Sequence, residues 1–281
     1  MSTEASAAAR ARALLEVERV TKRFATRDGP ITAIEDVSFA VAPGEFVSII
    51  GPSGCGKSTL FNIIGGLLGD YEGSVRVAGD RVAGTHPAIG MVFQEESTFP
   101  WRSVLDNVAF PLEIAGVGKG ERLARAEKFV SMVGLTGFER RLPAELSGGM
   151  RQRVALARTL ASEPRILLMD EPFAALDEQT RLLLGDKVLQ IQHALKQTTL
   201  LITHNLTEAV QLSDRVFVMT YRPGRLKRSV EVRLPHPRDS AVVSSDAFGH
   251  YVADIWHDLR EEASRGIRDD EARMLEGGRR R

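Results

Sequence analysis

The residues best suited to chemistry begin at Gly51-Pro52-Ser53-Gly54-Cys55-Gly56-Lys57-Ser58-Thr59, which follow the pattern G-x-x-x-x-G-K-S. Glycines there let backbone N–H groups turn inward around an anion, and the N-terminus of a following helix adds unpaired N–H groups and a positive dipole end. In such a phosphate-cradling loop the lysine, Lys57, reaches β- and γ-phosphates and the Ser58 hydroxyl ligates Mg²⁺. A second group follows the apolar run Ile166-Leu167-Leu168-Met169, which Asp170-Glu171 closes. Consecutive acids after a buried strand are costly unless used. Asp170 is placed to hold Mg²⁺ directly or through water, and Glu171 to orient and polarise an attacking water. Gln94 and His204 each end another apolar run. Gln94 could ligate a metal, position a water or cap a loop. His204 is expected at the same sheet edge, because parallel sheets gather their sites at the carboxyl ends of strands. Gly148-Gly149, opening a helix after Ser147, form another anion site, useful to the first if it faces the phosphate loop of a second copy. Phe24, expected just after the first strand, is a candidate ring for stacking on a purine. Cys55 is the only cysteine; it reads as a small loop-filling residue, with a redox role the sharper alternative.

These groups need elements to hold them. Glu45 to Ile50 is a short apolar run suited to a buried parallel strand, and Lys57 to Ile64 opens a helix. Leu14 to Val20 and Ile31 to Val41 read as an antiparallel ribbon joined through the turn signal Asp28-Gly29-Pro30. Gly73 to Gly79 reads as a strand and turn, Ile89 to Phe93 as a second buried strand, and Thr198 to Thr203 as another. Between Gln94 and Ser147 lies a helical block, entered by a capped start at Ser103 and broken at Lys119-Gly120-Glu121. After Pro172 to Asp177 a helix runs to about Leu195. Near the end, Phe248, Tyr251, Ile255, Trp256 and Leu259 have helical spacing and are expected to pack on the body.

The chain of 281 residues has a formal net charge of +0, so it lacks a global basic field for nucleic acid or anionic lipid. No apolar run approaches the roughly 20 residues needed to span a bilayer. A lone cysteine excludes an internal disulfide and fits a reducing compartment. The first residues, 1–12, lack the apolar core of a secretion signal and are expected to form a loose tail.

With Leu146-Ser147-Gly148-Gly149-Met150-Arg151-Gln152 ahead of the Ile166 to Glu171 run, the chain resembles the nucleotide-binding subunit of an ABC transporter. The match runs from about Leu15 to about Val218 and includes Gln94, Asp177 and His204 in order. The resemblance implies an α/β fold: a P-loop NTPase core with a parallel sheet, an antiparallel β subdomain and an inserted α-helical subdomain over about 95–160. It implies an ATPase domain over 13–238, followed by a helical extension and tail over 239–281. It implies ATP and Mg²⁺, and a head-to-tail homodimer with two ATP molecules at the interface. Ser147 and Gly149 of one copy would contact the γ-phosphate held by Lys57 of the other, with Asp177 across the interface. His204 would contact the γ-phosphate and the attacking water, Gln94 would sense Mg²⁺ and water, and Phe24 would stack on adenine.

Three local runs point to a narrower likeness: Phe99 to Val108, Asp170 to Asp177, and Arg222-Pro223-Gly224-Arg225 with Leu234 to Arg238. They resemble the ATPases of bacterial importers for nitrate, sulfonate and taurine. Such ATPases sit peripherally on the cytoplasmic face of the inner membrane, bind integral permease subunits, and serve a solute-binding protein indirectly. Where the family carries Asp after its histidine this chain has Asn205, which can cap the next helix equally well. The rival reading is a soluble ABC-type ATPase acting on nucleic acid or ribosomes. The short interval between phosphate loop and signature, the single cassette and the balanced charge argue against it.

Overall fold

The computed structural model describes residues 13–278, apart from 28, 96 and 237. The expected tail over 1–12, Asp28 of the expected turn and Arg279 to Arg281 lie outside the described residues.

Two sheets carry the architecture. A four-stranded antiparallel sheet has the order β2-β1-β4-β5, with β1 Leu15–Thr26, β2 Gly29–Val41, β4 Glu72–Val77 and β5 Asp80–Arg81. A six-stranded sheet has the order β10-β9-β3-β8-β7-β6. Its members are β3 Phe46–Ile50, β6 Ile89–Val92, β7 Ile166–Asp170, β8 Thr198–Ile202, β9 Arg215–Met219 and β10 Leu226–Glu231. All neighbours pair in parallel except β10, which turns back antiparallel on β9. Strands β3 and β8 are buried along their whole length. Their continuous apolar character is the mark of a parallel strand covered on both faces.

On one face, helix α1 (Lys57–Ile64) packs Leu60, Phe61, Ile63 and Ile64 into a core shared with the antiparallel sheet through Val17, Ile34 and Val75. The other face joins a core built with the helical block: α2 (Val104–Ile114), α3 (Lys119–Met132) and α4 (Gly148–Leu160). Helix α5 (Glu178–Leu195) closes that side, and α6 (Leu206–Leu212) leads into β9. Helices α2 and α3 are separated at 115–118, with Gly116 at φ +75°, so Lys119-Gly120-Glu121 opens α3 instead of breaking the helix. The left-handed turn that a glycine favours comes three residues before the expected break. At the start of α2 the expected cap is present: Ser103 Oγ accepts from the Asp106 N–H at 3.1 Å.

The C-terminal helix α7 (Asp246–Gly278) lies along the β9–β10 end of the large sheet. Phe248, Ile255 and Leu259 are buried against Val216, Val218 and Val230, with Tyr251 partly buried beside them. Burying a side chain such as Ile255 is worth about 1.5–3 kcal/mol. Trp256 departs from expectation: it is 53% exposed. It stands one residue, about 100° of helix, from the seam through Ile255, so its spacing with Phe248 does not carry it inward.

Candidate functional site

The phosphate loop connects β3 to α1 along the edge where the parallel strands end. Gly54 at φ +71° and Gly56 at φ +96° take left-handed conformations, which only glycine adopts without strain. Gly56 is also crowded, since a Cβ there would lie 2.8 Å from the Ala33 carbonyl oxygen of β2. No side chain caps the N-terminus of α1, and no acid lies in its first turn. Its first N–H groups and the positive dipole end therefore belong to the loop, as an anion cradle requires. Lys57 is buried, with Nζ donating to the Gly51 and Pro52 carbonyls at 2.8 and 3.0 Å. Ser53 and Ser58 are exposed and Thr59 is partly buried.

Cys55 fills the inside of the loop, fully buried, with Sγ 3.8 Å from Lys57 Nζ. Burial pushes its thiol above the usual range despite the opposing Lys57 charge. The low-pKa thiolate that redox chemistry needs is disfavoured there, and the loop-filling reading stands.

Tertiary pairing assembles the carboxylates and the histidine. In register, Asp170 of β7 faces Ile202 of β8, while Ile49 of β3 faces the same Ile202. That order carries the ends of β3, β8 and β7 to one edge. Asp170 meets the Ser58 hydroxyl there; burial raises its carboxyl above the usual range and Glu171 adds to the rise, with Ser58 and Lys57 opposing. Glu171 sits at φ +45°, uncommon for a residue with a side chain. Its N–H donates to the Ile202 carbonyl at 2.9 Å, and its Oε2 lies 3.0 Å from His204 Nδ1. The half-exposed His204 ring and the more buried Glu171 thus form a hydrogen-bonded pair beside the cradle.

Gln94 is exposed two residues past Val92, the β6 residue that pairs with Met169 of β7. Phe24 lies within β1 rather than after it, because the strand runs on to Thr26 and Phe24 pairs with Ile31. The residue is 38% exposed, with Lys22 Nζ 5.2 Å from the ring centroid. The same hairpin carries Ala33 against the loop at Gly56, so the ring stands on the element that flanks the cradle.

The two signature glycines open α4 behind Ser147, whose Oγ accepts from the Met150 N–H at 3.3 Å. Gly149 is buried against Thr180, whose methyl lies 3.2 Å from where a Cβ would be. Thr180 is in turn held by Asp177, which accepts its N–H at 2.9 Å and its hydroxyl at 2.6 Å. Ser147, Gly148, Gly149 and Asp177 therefore form one local unit. Asn205 caps α6 as expected, accepting from the Glu208 N–H at 3.1 Å.

Sequence reasoning missed the residues behind His204. Asn205-x-x-Glu208 reads as a capping pattern in which the glutamate would turn back to the helix start. Instead Glu208 is buried, accepting from the Thr203 hydroxyl and pairing with Arg181 Nε at 3.2 Å. Burial raises its carboxyl, opposed by Thr203 and Arg181. Thr203 Oγ1 also accepts from the Asn205 N–H at 2.9 Å, so both neighbours of His204 are anchored. An Arg on another helix cannot be foreseen from local spacing; the sequence shows only an acid three residues after a cap, and its burial is a tertiary fact.

The family model described as ABC transporter matches residues 34–174. An uncharacterised ABC transporter ATP-binding protein of Methanocaldococcus jannaschii is 47% identical over 254 residues, covering 90% of this chain and 94% of that protein. A nitrate transport protein of Klebsiella oxytoca is 42% identical, covering 89% and 97%. An aliphatic sulfonates import ATP-binding protein of Bacillus cereus is 41% identical, covering 80% and 88%. Among solved structures, a dimeric ATP-binding cassette in a post-hydrolysis state with ADP and Pi has a TM-score of 0.70 at 33% identity, covering 79% of this chain and 100% of that one. With the phosphate loop, the acid pair, the histidine and the signature helix arranged on this fold, the chain belongs to the ABC transporter family, as an ATP-hydrolysing subunit coupled to transport.

Proposed function

We propose that this chain is the energy-coupling ATPase of an importer for a small oxyanion or sulfonate solute, of the nitrate, sulfonate and taurine kind. The observation that carries the catalytic part is the Glu171–His204 pair, 3.0 Å apart, beside Lys57 and Ser58. Glu171 accepts a proton from the water that attacks the γ-phosphate. His204 holds Glu171 in place through Nδ1, with its other ring nitrogen left for the γ-phosphate region. Lys57 and the loop N–H groups of Gly51, Ser53, Gly54, Cys55, Gly56 and Thr59 take up phosphate charge. Ser58 and Asp170 would supply oxygens for Mg²⁺, and Gln94, past the end of the neighbouring strand β6, would be a further oxygen donor. Among the described residues no group of three or more His, Cys, Asp and Glu could hold a metal. A hydroxyl with one carboxylate suits Mg²⁺, which keeps waters and shares substrate phosphates; the ion would supply positive charge against the phosphates.

The unit made by Ser147, Gly148, Gly149 and Asp177 would serve a second copy, closing a head-to-tail dimer over two ATP molecules. The dimeric cassette with ADP and Pi found among the solved structures supports a dimer. Phe24 would stack on adenine. No helix among the described residues is long and apolar enough to cross a membrane. We place the protein peripherally on the cytoplasmic face of the inner membrane, held by integral permease subunits that receive a solute-binding protein. The solute class rests on the nitrate and sulfonate relatives.

The test is to purify the tagged chain from its native membranes in mild detergent and identify what accompanies it. A multi-span membrane protein in roughly one-to-one ratio is expected, and its solute-binding protein would then be screened against nitrate and sulfonates. Recovery with ribosomes or nucleic acid, from membranes shown to be intact, would overturn the transport reading.

A further inference from the structure

The run Arg222-Pro223-Gly224-Arg225 and the C-terminal helix have no part in the site described above, yet they meet it. Arg222 Nε donates to the Gly54 carbonyl of the phosphate loop at 2.9 Å. Its guanidinium also covers Gly54, since a Cβ there would lie 2.6 Å from an Arg222 terminal nitrogen. Two residues on, Gly224 is pressed so closely on the loop that a Cβ would overlap the Cys55 carbonyl oxygen. Gly224 is stitched to β2 as well: its N–H donates to the Ala33 carbonyl and its carbonyl accepts from the Glu35 N–H, both at 2.9 Å. The segment thus lies flat against the outer side of the cradle.

Its other end is tied to α7. The Tyr221 N–H donates to Glu262 Oε2 at 3.0 Å, and Glu262 is only 2% exposed. Lys227 Nζ, 3.0 Å from Glu262 Oε1, compensates the buried charge. The Tyr221 ring packs where α7 carries Gly266, whose Cβ would come within 2.8 Å of it. One carboxylate oxygen accepts from the backbone N–H while the other faces Lys227 and also Arg265 Nη1, the latter 3.5 Å away; a charged acceptor makes the stronger hydrogen bond and so fixes that backbone.

We propose that α7 is a positioning element for the phosphate loop: Glu262 holds Tyr221, and through it Arg222 and Gly224 hold Gly54 and Cys55 in the nucleotide-binding conformation. Glu262 touches neither nucleotide nor reacting atoms, and the inference rests on the nucleotide-binding reading of the loop. Preorganisation of this kind acts on affinity, because a loop that must be ordered at binding loses part of the interaction.

The experiment is calorimetric titration of the full-length chain with Mg²⁺-ADP, with KM and kcat for ATP read alongside. Glu262→Ala is expected to raise the Kd about 5–30-fold and KM with it, leaving kcat within about threefold. Arg222→Ala, at an exposed side chain, is expected to raise the Kd by a similar factor. In the Arg222→Ala background Glu262→Ala is expected to add less than about twofold, since residues acting through one segment are not additive. Glu262→Gln, which keeps an acceptor for Tyr221, should restore most of the affinity. Ile255→Ala, a cavity in the same helix away from this contact, should lower thermal stability and leave the Kd within about twofold. The proposal is overturned if folded Glu262→Ala binds like the parent, or if Ile255→Ala weakens binding as much. If Glu262→Ala does not fold, Arg222→Ala decides, and a parental Kd there overturns it. A parent chain that binds no nucleotide at all would instead sink the functional reading beneath it.

Discussion

Replacing Glu171 by Gln tests the site most directly. The substitution keeps the side chain's length and one oxygen, so an amide oxygen can still accept from His204 Nδ1 across the present 3.0 Å. The left-handed backbone at φ +45° costs Gln about what it costs Glu, and the Glu171 N–H still donates to the Ile202 carbonyl. The Lys57 cradle and the Ser58–Asp170 contact are untouched. What is lost is the proton acceptor proposed for the attacking water. A positioned general base is worth roughly 10²–10⁴ in rate, or about 3–5 kcal/mol of barrier. Steady-state and single-turnover ATP hydrolysis should therefore fall by about that factor, while titration with Mg²⁺-ATP shows a Kd within about threefold of the parent. Lys57→Ala serves as the opposite control, because it should abolish binding itself. A Glu171→Gln protein that hydrolyses ATP within about tenfold of the parent, with binding intact, would refute the assignment of Glu171.

Two further outcomes follow from the local electrostatics. Cys55 should resist alkylation by iodoacetamide at pH 8 in the folded protein and react once denatured, because it is buried and its thiol is pushed upward; mass spectrometry reads the adduct, and rapid labelling of the native chain would contradict the loop packing. Asp177 caps α5 with a carboxyl held below its usual range by the Thr180 side chain and backbone N–H. Its folded-state pKa is depressed, so its contribution is fully present above the unfolded value of about 3.8 and is lost as pH falls through the folded value. The thermal midpoint difference between parent and Asp177→Asn should be flat from pH 5 to 7 and change below pH 4; a difference that varies between pH 5 and 7 would contradict this.

What local chemistry dictates was legible from the residues alone. The loop from Gly51 to Thr59, its preceding strand and its following helix are contiguous, and the glycines at φ +71° and +96° declare the turn by their type. The caps at Ser103 and Asn205 each act within three residues, which is why spacing found them; Ser147 and Asp177 cap their helices over the same short span, a role their place in the motifs did not declare. Strand ends carrying Asp170 and His204 could be aimed at one edge by the general rule for parallel sheets. Which side chains then touch was decided by strand order, with β8 seated between β3 and β7, so that Glu171 meets His204 across 33 residues. Phe24 was set inside its strand by pairing with Ile31, and Trp256 was turned outward by the one seam that α7 could bury. Glu208 was drawn inward because Arg181 of another helix offers a charge that compensates its burial. Arg222 reaches Gly54 across 168 residues, a contact no local period encodes. Hydrogen bonds and turns within a few residues are set by backbone geometry and side-chain type, whereas contacts between distant segments exist only once the apolar faces have chosen how to pack.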